Sequence, residues 1–173
     1  RHGDTPLTLS LLEEMGRDEE MSPTAFSLAV HNAVSGLYSI ARKDTNAVTS
    51  LAAGEGLVLN TLLEAVGQLQ VSDRVLCVIY DVPLPELYRK YCKGTDFPYA
   101  IAMIIGGNGG HDKGVNYSIE QCELDTHEVD ADAQASLPMD LESARFLELL
   151  TGISGEMNVE LNGAAWRIAK AES

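Results

Sequence analysis

Nucleophilic chemistry in a chain of this kind would need a serine or cysteine presented on a tight turn between a strand and a helix. The segment that could make such a turn reads Ser50-Leu51-Ala52-Ala53-Gly54-Glu55-Gly56, without a GxSxG pattern. Ser50 is expected inside the preceding strand, not at the tip. Of the three cysteines, Cys77 and Cys122 fall in strand-like runs, where a thiol behaves as a small inert hydrophobe. Cys92 has basic neighbours in Arg89, Lys90 and Lys93 that would favour a thiolate, but no other group assembles around it. Glu55 is expected in the first turn of the helix after the turn, where the helix dipole favours a carboxylate. Carboxylate chemistry would need a second group that the sequence does not name, so a cap is the plainer reading. His31 and Asn32 sit among small residues of a helix, able to face an interface or a pocket, with an ordinary satisfied histidine as the plainer reading.

The glycine-rich stretch Gly106 to Gly114 invites comparison with phosphate-binding loops. It lacks GxxxxGK[ST] and no helix follows it, so no row of helix-terminal amides awaits an anion. A loop joining antiparallel strands is expected there, because Gly and Asn accept positive φ. His111 and Asp112, side by side in that loop, do not make a metal site. Neither metal nor cofactor is called for.

The positioning elements follow from periodicity and punctuation. Apolar residues at Leu7, Leu9, Leu11, Leu12 and Met15 predict a short helix over 6–15, stopped by Gly16. Ser22-Pro23 is an N-cap with Pro at the first helical position, predicting a long helix toward Ala41 with Phe26, Val30, Val34, Leu37 and Ile40 on one side. A buried strand is expected over 47–52, then a helix over 54–67 with Leu57, Leu59, Leu62, Leu63 and Val66 inward. The run Arg74 to Val82 reads as a strand buried on both faces. Strand, helix and strand in this order imply a right-handed crossover in a layered α/β sheet. Segments 99–105 and 115–124 read as further strands on either side of the glycine-rich loop, and residues 83–91 as irregular or briefly helical. Residues 125–140 form an acidic linker, Asp140 caps a helix over 141–150 ended by Gly152, and 157–169 is a strand interrupted by a turn at Asn162-Gly163. Length alone points to one domain over 1–173.

Composition is that of an ordinary globular chain, with 45% apolar and 22% charged residues. The net charge of −14 repels phosphate backbones and anionic membranes, so neither nucleic acid nor a membrane is an expected partner. Three cysteines without metal-type spacing suit a reducing cytoplasm. No apolar run approaches the about 18 to 20 residues needed to cross a bilayer.

The run Ser22 to Arg42 (SPTAFSLAVHNAVSGLYSIAR), followed by Ser50 to Glu55 (SLAAGE) and Leu62 to Ala65 (LLEA), resembles the β-ketoacyl-synthase-like N-terminal domain family, shortened relatives of condensing enzymes of the chain-length-factor type. The resemblance runs from Arg1 to about Leu87, and more loosely through the tail ending Gly163-Ala164-Ala165-Trp166-Arg167. It implies a thiolase-like α/β fold with a layered mixed sheet. Some such proteins are encoded with aryl polyene pathways. It also implies a stretch preceding Arg1-His2-Gly3, so that an early strand is expected to be missing.

In ketosynthases of this fold, the strand corresponding to 47–52 delivers the acyl-accepting cysteine to the mouth of the next helix, whose dipole lowers its pKa. Aligned forward from Ala47, that position is Ala52; counted back from Gly56, it is Ala53. Neither can form a thioester. The resemblance further implies a contact with a partner subunit over Phe26 to Val48, carried by Phe26, Val30, His31, Asn32, Gly36, Tyr38 and Val48. The expected role is a non-catalytic partner of a ketosynthase in aryl polyene, polyketide or fatty acid synthesis that shapes the acyl tunnel. The ketosynthase, or else a second copy of this chain, is the expected partner, together with an acyl carrier protein. The competing reading is a residual acyl-transfer or decarboxylating enzyme in which Glu55 or His31 polarises a thioester.

Overall fold

The computed structural model describes residues 2–91, 94–107, 114–123 and 141–171. They fall into two compact units, one comprising 1–54 with 81–98 and the other 55–80 with 99–173.

The first unit is helical. Helix α1 spans Thr5–Gly16, and Asp4 caps it by accepting from the Leu7 amide at 3.0 Å. Helix α2, Pro23–Leu28, starts as its Ser-Pro signal requires, with Ser22 Oγ accepting from the Ala25 amide. It then stops. The long helix expected from Ser22 to Ala41 is two helices, α2 and α3 (Ala33–Arg42), separated by a turn at 29–32. The break has a local and a distant cause: Val30, His31 and Asn32 are three successive weak helix formers, and the His31 ring is drawn instead to the Ser50 carbonyl. Helix α3 ends on Lys43, which adopts the left-handed conformation at φ 53°. Asp44 then ties down the next turn, its carboxylate accepting from the backbone and side-chain nitrogens of Asn46.

The strand expected at 47–52 is absent: this segment is irregular and carries Val48 and Leu51 exposed. A short β-branched run becomes a strand only beside a neighbour that accepts its ladder, and here side chains of α3 and the preceding turn hold Ser50 instead. The crossover inferred from that strand therefore lacks its first member. Within the 83–91 segment expected to be irregular or briefly helical, Glu86–Arg89 form the short helix α5. Near the start of the chain, His2 Nδ1 lies 3.5 Å from the carboxylate of Asp81, which is almost wholly buried.

The second unit holds α4 (Leu57–Gln68), α6 (Leu141–Thr151) and the strands β1 (Arg74–Asp81, whose last residue belongs to the first unit), β2 (Tyr99–Gly106), β3 (Tyr117–Cys122), β4 (Glu156–Leu161) and β5 (Ala164–Lys170). β1 pairs with β2, and β3, β5 and β4 form a separate sheet in that order. The second sheet is antiparallel, with Ile168 opposite both Ile119 and Met157. The core gathers Val58, Leu59, Ile79, Phe146, Leu149, Met157 and Ile168, all buried.

Three expectations change here. β1 is not buried on both faces: burial alternates, with Cys77 and Ile79 inward and Leu76 and Val78 exposed, as for a strand covered on one side. The segments on either side of the glycine-rich loop do not pair with each other, since β2 joins β1 and β3 joins β5. In α4, Leu63 and Val66 face outward while Leu57, Leu59 and Leu62 are buried. His111, Asp112, Asp140, Cys92 and the linker at 125–140 lie outside the described residues.

Burial raises the pKa of the Cys77 thiol above the ordinary 9.0. The raised folded-state value favours the neutral thiol, so the stability it contributes is fully present below about pH 9.0 and is lost as pH rises through the shifted value. Cys122, by contrast, is exposed. At pH 8 a thiol-disulfide dye is expected to label Cys122 at the rate of a free thiol and Cys77 only once denaturant is added; equal rates would contradict the burial of Cys77.

Candidate functional site

The candidate residues fall in two pieces, each described within its own unit: Ser50 to Gly54 in the first, and Glu55 with the start of α4 in the second. The first piece is fastened within the first unit. His31 Nε2 lies 2.9 Å from the Ser50 carbonyl oxygen. A carbonyl can only accept, so Nε2 carries the proton. The Ser35 hydroxyl donates to the Asn32 carbonyl at 2.9 Å and so accepts from the Ser50 hydroxyl at 3.0 Å. His31 thus engages the backbone of Ser50 and not its hydroxyl, and the serine is paired with another serine. This is a structural clasp between the α2–α3 turn and the loop, not a nucleophile with its base. His31 is a satisfied histidine, as expected, but in a turn, not within a helix.

From Ser50 the chain runs irregularly through exposed Ala52 and half-buried Ala53, bends at Gly54 and Glu55, and enters α4 through Gly56. Gly56 is the N-cap at φ 66°, and a Cβ placed there would lie 2.7 Å from Leu161 Cδ1. Both the left-handed backbone and the space therefore call for glycine. Glu55 precedes this cap and is exposed; it is not in the first helical turn where it was expected. The extra turn of irregular chain before α4 displaces it.

The carboxylate that does reach the helix start comes from elsewhere. Glu142, in the first turn of α6, accepts from the Leu59 amide at 3.0 Å. Leu59 is the third residue of α4, one of the amides an α-helix leaves without an internal acceptor. An anion is therefore already installed at the positive end of this helix. Sequence reasoning missed Glu142 because the contact joins residues 83 positions apart; the acidic first turn of α6 signals only that helix's own dipole. Exchanging Glu142 for Ala is expected to lower stability by about 1 to 2 kcal/mol, the range for losing a capping acceptor. Urea denaturation at neutral pH checks this, and an unchanged midpoint would mean the bond is not formed in solution.

The proposed contact residues lie mostly on the surface of the first unit. Helix α3 has no buried residue. Val34, Leu37 and Tyr38 share one of its faces and Ile40 borders it, all four exposed; Phe26, Val30 and Val48 are exposed as well. His31, Asn32 and Gly36 are also at the surface.

Among the described residues, no helix is long and apolar enough to cross a membrane, and no three His, Cys, Asp or Glu side chains are gathered to hold a metal ion.

The chain belongs to the family of β-ketoacyl synthase N-terminal domains, whose model residues 1–167 match. The structure is similar to a chain from the ketosynthase (ApeO) in complex with its chain length factor (ApeC) from Xenorhabdus doucetiae, with a TM-score of 0.75 and 21% identity over 98% of this chain. The match extends over 66% of that chain's length. At this identity the likeness establishes the fold, the thiolase-like α/β class expected from the sequence. No curated protein matches the chain.

Proposed function

We propose that this chain is a non-catalytic, chain-length-factor-like partner of a β-ketoacyl synthase. The observation that carries this reading is the occupation of the α4 N-terminus by Glu142. A condensing enzyme uses such a helix end to stabilise a thiolate; here a carboxylate already occupies it, and the two candidate positions for the nucleophile are Ala52 and Ala53. The exposed apolar face of α3 supplies a surface on which a second subunit can dock. The solved complex to which the fold is similar pairs a ketosynthase with its chain length factor.

In this role Phe26 to Val48 meets the ketosynthase, and the stretch Ala52, Ala53, Gly54 and Glu55 borders the passage for a growing acyl chain in aryl polyene, polyketide or fatty acid synthesis. A catalytically complete partner would supply the basic surface that an acidic acyl carrier protein needs and that a chain of net charge −14 does not. The pair works in the cytoplasm. The test is intact-mass spectrometry after incubation with acyl carrier protein thioesters, with and without the neighbouring ketosynthase. Acyl mass is expected on the ketosynthase cysteine alone; an adduct on this chain, or failure of the two to co-purify, overturns the reading.

A further inference from the structure

The groove between α1 and α2 on the first unit is a further apolar surface that shares Phe26 and Val30 with the contact surface described above. Thr8, Leu11, Leu12 and Met15 recur at i, i+3, i+4 and i+7 along α1, and Met21, Phe26, Ala29 and Val30 form the opposite wall. The groove has a volume of about 220 Å³. Leu12, Met15, Phe26 and Val30 all reach solvent, so it is open along its length. Pockets that enclose a small ligand run from about 300 Å³ upward, so this groove suits a few anchoring side chains better than a sequestered molecule. Its two methionines can adapt to the shape of whatever fills it.

The loop of residues 16–20, which joins the lining residues Met15 and Met21, decides what kind of partner fits. Between Leu12 and Met21 the chain carries Glu13, Glu14, Asp18, Glu19 and Glu20 against the single Arg17. Arg17 is already engaged, 3.3 Å from Glu13 and 3.7 Å from Glu19. Asp18 and Glu20 are exposed and have no cation within ion-pair distance among the described residues. A second copy of this chain would bring the same acidic loop and a further charge of −14, and is repelled.

We infer that the α1–α2 groove docks an amphipathic helix whose polar face is basic. Apolar residues at i, i+3 or i+4 and i+7 of that helix enter between the methionines, and its lysines or arginines meet the carboxylates of the 13–20 segment. The inference rests in part on the proposed ketosynthase pairing, because Phe26 and Val30 belong to both surfaces, and goes beyond it in the α1 wall and the acidic 16–20 loop, which take no part in the α3 face.

The test uses the full chain and a fluorescein-labelled Leu/Lys helix of about 18 residues, five turns long, followed by anisotropy. Saturable binding is expected, weakened about tenfold or more by Met15→Glu, the scale of one lost anchor. The pair Glu19→Lys with Glu20→Lys should weaken it several-fold, as should raising the salt. These positions are exposed, so thermal melts should not move and loss of binding cannot be ascribed to unfolding. Equal binding by a peptide of the same composition with its leucines scattered, or by a Leu/Glu helix, overturns the inference. So does indifference to Met15→Glu, displacement of the peptide by a fatty acid, or self-association that Met15→Glu abolishes.

Discussion

Leu37→Asp is expected to leave the thermal melt of the isolated chain where it was and to weaken co-purification with the ketosynthase by about 100-fold. The first half follows from exposure: Leu37 is 53% exposed on a helix with no buried residue, and substitutions at such positions shift stability by about 0.5 kcal/mol or less. The second half follows from burying a carboxylate at the centre of an apolar contact, where losses of about 2 to 4 kcal/mol are usual for an anchoring residue. Quantitative pull-down beside a melting curve separates the two. If Leu37→Asp and Tyr38→Asp both pair as well as the parent, α3 is not the contact and the proposed arrangement of subunits fails.

Leu59→Ala is the substitution within α4 expected to cost most. Leu59 is fully buried, and its amide is the one held by Glu142. Leu-to-Ala changes at such sites cost about 2 to 5 kcal/mol, from lost transfer free energy and the cavity left behind. Against a total stability of about 5 to 15 kcal/mol for an ordinary domain, this is a substantial fraction. Leu63, on the same helix but 37% exposed, provides the internal control: Leu63→Ala should move the urea midpoint far less. Equal shifts would mean that α4 does not bury the face described here.

Much of the secondary structure was legible in the sequence wherever the signal was local. Ser22-Pro23 started a helix, Gly152 ended one, and Asn162-Gly163 turned one strand into the next. What escaped was decided by distant partners. The α2–α3 break depends on the Ser50 carbonyl, nineteen residues from the ring that binds it. The missing strand at 47–52 depends on there being no neighbour to pair with, and the separation of β2 from β3 on β5 arriving from the far end of the chain. The site divides in the same way. That neither Ala52 nor Ala53 can form a thioester is plain from residue identity, and so is glycine at 56; the carboxylate on the α4 amide is contributed by a helix that local sequence could not connect with it.

The turn at Asn162 and Gly163 has a consequence for the fidelity of the sheet. Both residues are left-handed, at φ 53° and 75°, as a two-residue hairpin of the tightest kind requires, and so β4 and β5 are aligned by neighbours in sequence. Side chains on a strand alternate, so a slip of one residue would turn Ile168 outward and bring Arg167 toward the core. Because β5 is the central strand, β3 would inherit the error, and Glu120, which holds Arg167 at 2.9 Å on the outer face, would lose its partner. Two small residues at the end of the chain therefore govern which side of a three-stranded sheet is oil and which is water.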